Sequence, residues 1–282
     1  MKILVAYDGS KHAQAAIRDL RRSGIPREFT ALVTTVGDLP ASGVGSPSLD
    51  PTIARRAGAL LEQTQGQALL SLSHAEEIAK EGAALVADMC PGSEVTTHVR
   101  LGEPAEVIIE SADAWGADLI VVGAHGRSAL GRLLIGSVSQ HVATNASRSV
   151  LVARRVVERG DSPVRIIVGI DGSPTSHAAV DAVARRSWGE HTEVRIVAVA
   201  GTQRPNAAAK RVPTAAAWID ESNQSKRDTA QVVLEHSIRA LASAHLHVSE
   251  RFAEGGVPSI LNEQAEEFGA DCIFRQRRQL QR

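Results

Sequence analysis

The stretch Gly123-Ala-His-Gly126-Arg-Ser-Ala-Leu-Gly131-Arg-Leu-Leu-Ile-Gly136-Ser137-Val-Ser139 carries the residue types that hold a phosphate chain. Glycines let a backbone approach a ligand closely, serine hydroxyls hydrogen-bond oxyanions, and Arg127 and Arg132 add positive charge. His125 sits among them, as a phosphate contact or an exposed loop residue. The apolar run Leu119-Ile-Val-Val122 comes just before and reads as a buried strand of a parallel sheet. From Gly136 onward, Ser137, Val138, His141, Val142 and Ala143 begin a helical pattern. Strand, glycine loop and helix N-terminus together present free N–H groups and the positive end of a helix dipole to an anion. Two other phosphate frames do not fit. Gly131 to Gly136 with Ser137 lacks the lysine of a P-loop, and the loop lacks Gly-x-Gly-x-x-Gly after a first strand. A ligand-free turn is the competing reading, although three loop glycines and a capping serine exceed what a turn needs.

The elements that must position this loop alternate. Ile3-Leu-Val-Ala-Tyr7 is a first strand, closed by Asp8-Gly-Ser10, with Ser10 placed to cap a helix over 11–23. A second strand, Thr30 to Val36, leads into a Gly/Pro/Ser-rich loop over 37–51. A long helix over 52–90 follows, with an interruption expected near Gly66. Glu94 to Arg100 alternates as a third strand, and Gly102-Glu-Pro104 opens a helix over 104–115. Gly116-Ala-Asp118 leads into the fourth strand, the glycine loop, a helix over 137–146 and a fifth strand, Ser149 to Ala153. Strands alternating with helices predict a doubly wound parallel sheet, whose ligands sit beyond the carboxyl ends of the strands. Asp8 and Gly123 both fall there.

The pattern then restarts. Val164 to Ile170 with Asp171-Gly-Ser173 repeats the first strand and Asp8-Gly-Ser10. Val194 to Val199, a loop over 201–217 and a helix over about 219–244 follow in the same order. Gly256-Val-Pro258 repeats Gly102-Glu-Pro104, and Gly269-Ala-Asp271 repeats Gly116-Ala-Asp118. The landmarks recur in order, which reads as an internal duplication. Nine residues follow Ile273, with four arginines and no strand pattern. They read as a solvated, disordered terminus, with a basic interaction arm as the alternative, and a truncated or frameshifted reading frame would explain them.

Composition bounds the function classes. The 282 residues suggest two domains, with 43% hydrophobic and 22% charged residues. Aromatics are 3%, so the core must be aliphatic. A net charge of −1 argues against a dedicated nucleic-acid binder. Cys90 and Cys272 stand far apart, as in a reducing compartment, and no apolar run reaches membrane-spanning length. A cytoplasmic protein without a membrane partner is expected. No Gly-x-Ser-x-Gly elbow or His-Glu-x-x-His motif indicates an enzyme.

Gly123 and Gly126 are separated by two residues, Gly126 and Gly136 by nine, and Ser137 follows directly. With Asp8 ending the first strand, this resembles the ATP-binding universal stress protein family. The resemblance implies two tandem doubly wound Rossmann-like domains of the adenine nucleotide alpha hydrolase-like kind. Residues 1–155 would form a complete domain and 163–282 a second, incomplete one. It implies an ATP site of Ala6, Asp8, Val36, Gly123, His125, Gly126, Arg127, Gly136, Ser137, Val138 and Ser139. Asp8 would take the adenine or ribose, unless it serves only its turn, and Mg2+ would accompany ATP beside the phosphates. The implied function is nucleotide-dependent regulation in stress or dormancy, with ATP sensed and not consumed. A slow ATPase, an ATP-dependent transferase and a nucleotide-free scaffold are the alternatives. The family's pairing of fifth strands implies a homodimer through residues 149–153.

Overall fold

The computed structural model describes residues 1–39, 51–124, 136–153, 162–170, 176–200 and 213–275. The chain divides into two units, Met1–Arg21 with Pro26–Val156 and Arg22–Ile25 with Val157–Arg282. In the first, strands β1 (Lys2–Ala6), β2 (Thr30–Gly37), β3 (Glu94–Leu101), β4 (Leu119–Gly123) and β5 (Ser149–Ala153) alternate with helices. These are α1 (Lys11–Asp19), α2 (Pro51–Met89), α3 (Pro104–Trp115) and α4 (Ser137–Asn145). All strand pairs are parallel, in the order β3-β2-β1-β4-β5.

The central strands are apolar without interruption because helices cover both faces. Ile3, Leu4, Val5, Leu119, Ile120 and Val121 are at most 1% exposed. On one face α2 lies over Tyr7 and Val33. On the other, residues of α3 and α4 pack on Leu4, Leu32, Ile120 and Val122. The helix expected over 11–23 is α-helical only to Asp19, and Leu20–Arg22 tightens into a 3-10 turn. The interruption expected near Gly66 does not occur. A Cβ there would meet nothing, and the glutamine- and leucine-rich neighbours carry the helix past a residue that costs about 1 kcal/mol in propensity.

The second unit has strands β6 (Arg165–Ile170), β7 (Glu193–Ala200), β8 (His247–Glu254) and β9 (Cys272–Arg275). Its helices are α5 (His177–Ala184), α6 (Pro213–Ala242) and α7 (Val257–Phe268). Its parallel order, β8-β7-β6-β9, matches β3-β2-β1-β4. Helix α6 starts at Pro213, earlier than the pattern suggested, since proline is tolerated in a first turn. The repeated Asp171-Gly-Ser173 lies outside the described residues. Among the described residues no strand flanks the outer edge of β9. Ile273 is 39% exposed there, whereas Ile120, covered by β5, is fully buried.

The Gly-Ala-Asp landmarks have one physical cause in both units. Gly116 takes a left-handed conformation, φ 71°, and ends α3. The Ala117 N–H then donates to the Ala112 carbonyl at 2.8 Å. Asp118 clasps the start of β1 in both directions. Its carboxylate accepts the Lys2 N–H at 2.7 Å, and its own N–H donates to the Lys2 carbonyl at 2.8 Å. Gly269, φ 63°, and Asp271 repeat this on Arg165, with both bonds at 2.8 Å.

Gly116→Ala isolates the backbone term, because a Cβ at this position meets nothing within 4 Å. The variant should lose about 1 kcal/mol, the ordinary cost of a left-handed L-residue. Urea unfolding with an unchanged slope and a lower midpoint is the expected result; an unmoved midpoint would contradict the capping role.

Candidate functional site

The carboxyl end of β1 is built as a turn. Gly9 has φ 78°, and the Ser10 N–H donates to Asp8 Oδ1 at 3.0 Å. Ser10 in turn caps α1, its hydroxyl oxygen accepting the Ala13 N–H at 3.2 Å. One oxygen of the half-buried Asp8 carboxylate therefore sets the local turn. Tyr7, just before it, is 2% exposed. Its hydroxyl donates to Glu81 Oε1 of α2 at 2.6 Å, and its carbonyl accepts the Thr35 hydroxyl at 2.8 Å. Burial, then the bond to Glu81, pushes the Tyr7 phenol up to about 12.

The carboxyl end of β4 lies against the start of α1. A Cβ on Gly123 would stand 2.7 Å from the His12 backbone carbon and 2.8 Å from the Ala13 nitrogen. Glycine is required here by packing alone. Beyond it the Ala124 N–H donates to the Ala153 carbonyl at 2.8 Å, and the Gly136 N–H donates to the Ala124 carbonyl at 2.7 Å. Ala124 and Gly136 are thus tied to each other at the rim of the sheet. His125, Gly126 and Arg127 fall between them in sequence, outside the described residues.

Gly136 is the N-cap of α4, with extended angles (φ −61°, ψ 155°) and no side-chain cap. The N–H groups of Ser137, Val138 and Ser139 make no bond within their own helix, as in any first turn. Ser137 is exposed. Ser139 is 5% exposed and its hydroxyl donates to the Gly123 carbonyl at 2.5 Å, tying α4 to β4. Ala6, Val36 and Val138 are all half-buried against the cluster that includes Ile120 and Val122, so they line one face.

Sequence reasoning missed the polar groups in the sheet. Thr34 Oγ1 and His98 Nδ1 are buried with no hydrogen-bond partner, on residues paired in register across β2 and β3. The signal for Thr34 was present: Thr34-Thr35 interrupts an otherwise apolar strand. Burial, and then the Arg100 charge, holds the His98 imidazole below its ordinary value. Among the described residues no group of three His, Cys, Asp or Glu could hold a metal ion, and no helix is long and apolar enough to cross a membrane.

The parallel sheet order and the turns at its rim define an α/β domain of the Rossmann-like class. The model of the universal stress protein family matches residues 1–154, and the chain belongs to that family. It is 32% identical over 152 residues to a universal stress protein of Thermus aquaticus encoded beside a QAH/OAS sulfhydrylase gene; the match covers 54% of this chain and 97% of that protein. It is 30% identical over 200 residues to one from Mycolicibacterium smegmatis, covering 66% of this chain and 63% of the relative. In fold it matches the crystal structure of a universal stress protein from Archaeoglobus fulgidus. The TM-score is 0.59 at 18% identity, over 96% of this chain and 85% of the other.

The His98 ring makes the first unit acid-sensitive. The fold favours the neutral imidazole, while the unfolded chain takes up the proton at the ordinary value of 6.5. Stability should therefore fall as pH drops through 6.5 and level off once folded His98 is itself protonated. His98→Leu should flatten that part of the profile in urea unfolding followed from about pH 8 to pH 5. An unchanged slope in the variant would assign the acid sensitivity to another group.

Proposed function

We propose that the first unit binds ATP and that the chain acts as a nucleotide-dependent regulator in stress response. The observation that carries this reading is a convergence at the rim of the sheet. Asp8 at the end of β1, the Gly123–Ala124 turn at the end of β4 and the start of α4 all meet there, and Gly136 closes onto Ala124. An anion seated over Gly126 and Gly136 would take the N–H groups of Ser137, Val138 and Ser139, with the helix dipole behind them. Gly123 supports this seat through its packing on α1. His125 and Arg127 complete its phosphate side. Ala6, Val36 and Val138 offer a half-buried apolar lining suited to adenine. Asp8 accepts from the base or ribose. A Mg2+ ion would draw most of its ligands from the phosphates and water, as is usual for this ion.

Only one such constellation is present in the sequence, so calorimetry should give one ATP per chain. Gly136→Val is the informative variant. Its extended angles are open to any residue, so α4 should still form, yet the side chain would fill the phosphate seat. Binding should disappear while the melting profile is kept. Undiminished affinity in the folded variant would remove the loop from the site. Recovery of ATP unchanged after incubation distinguishes a sensed ligand from a substrate.

In the same reading the chain forms a two-fold homodimer through β5. Among the described residues β5 is an edge strand with β4 as its one neighbour, and an open edge is a template for pairing. Light scattering at micromolar concentration should give twice the 29.8 kDa mass of the chain. A strict monomer would overturn the assignment.

A further inference from the structure

On the sheet face opposite Ala6 and Val36, Tyr7 is held at four points. Its N–H donates to the Thr34 carbonyl at 3.0 Å, and its carbonyl accepts the Thr35 hydroxyl at 2.8 Å. Its ring lies on α2, where a Cβ at Gly82 would come within 2.6 Å of it. Its hydroxyl donates to Glu81, and Glu81 also accepts Gln14 Nε2 of α1 at 3.4 Å. Asp8 is the next residue in the chain. Whatever fixes Tyr7 therefore fixes the direction in which Asp8 leaves the sheet.

The fold itself does not need this arrangement. In the second unit the same strand and register are built from apolar residues. Lys2 pairs with Thr30 and Arg165 with Glu193, so Ile170 occupies the position of Tyr7 and Ala198 that of Thr35. Ile170 is 1% exposed and Ala198 is fully buried. Ile170 keeps the burial without a phenol and Ala198 lacks the hydroxyl that bonds the strand carbonyl, so the same strand pairing stands without either polar contact. The polar clamp stands in the unit that carries the glycine loop, beside the residue assigned to the nucleotide.

We infer that Tyr7 and Glu81 are positioning residues of the nucleotide site: they clamp β1 to α2 and hold Asp8 where it receives the ribose or base. The inference rests on the ATP reading above.

Calorimetric titration of the full chain with ATP tests it. Tyr7→Phe removes the donor and Glu81→Leu the acceptor, and each should weaken ATP binding roughly tenfold, within the range by which residues outside a ligand contact change coupling. The double variant should bind no more weakly than either single one, because both remove the same contact. Glu81→Gln keeps an acceptor oxygen and should bind within about twofold of the parent chain, a rescue that a charge effect would not give. Tyr7→Ile imports the packing of Ile170 and keeps the test open should either single variant unfold. It should melt normally and bind weakly. If the parent chain binds ATP and every folded variant binds equally well, the clamp is structural and this inference is wrong. If the parent chain binds no ATP, the ATP reading fails first and the inference falls with it.

Discussion

The pairing of β1 with β4 is the constraint on which the rest of the first unit depends. These strands are neighbours in space but far apart in sequence, with Leu4 level with Ile120 and Val5 with Val121. The chain leaving β1 turns into α1 on one face, and the chain leaving β4 reaches α4 on the other. A crevice at the carboxyl ends is the geometric result of that divergence, and ligands of such sheets bind there. The pairing has to be close. Gly123 faces the α1 backbone so tightly that no side chain fits, and the Asp118 clasp on Lys2 fixes the register from the other end of the strands.

The two units show what part of the chemistry belongs to folding and what part does not. Both share strand order, the left-handed glycine that ends the helix, and the aspartate clasp. They differ at the rim. By register, Val197 and Ala198 of β7 stand where β2 has Thr34 and Thr35, and Ile170 stands where β1 is followed by Tyr7. Buried polar groups weaken a core unless each is paired. Thr34 Oγ1 and His98 Nδ1 have no hydrogen-bond partner, and Thr34 stands level with Ala6 of the neighbouring strand. In the second unit the matching positions are apolar, and among the described residues Ile273 of β9, with no strand on its outer side, is 39% exposed.

Much of the fold was legible because it follows from local patterns. Continuous apolar runs gave the buried strands, and Gly116-Ala-Asp118 with Gly269-Ala-Asp271 marked equivalent points in both units. Their meaning, a helix cap followed by a clasp, is a matter of backbone angle and hydrogen bonding that recurs wherever the tripeptide recurs. The spacing of Gly123, Gly126 and Gly136 pointed to the rim of the sheet, though Gly123 is accounted for by its contact with α1, which no local pattern encodes. The same holds for Tyr7 and Glu81, whose hydrogen bond spans 74 positions of sequence. Gly66 misled in the opposite way: a single helical glycine weakens α2 without ending it. Asp8 and Ser139 were read as ligand contacts, and each also holds the local structure, Asp8 in its turn and Ser139 on the Gly123 carbonyl.

A phosphate seat at the start of α4, which is tied to the end of β4, would place ATP against free backbone N–H groups. Amide hydrogen exchange with and without ATP tests it most directly, because it reads the backbone N–H groups themselves. A seat there should slow exchange at Ser137, Val138 and Ser139 and around Asp8 to Ser10 when ATP is present, with no change across β6 to β9. Equal exchange at residues 137–139 in the presence of saturating ATP, or protection confined to the second unit, would contradict it.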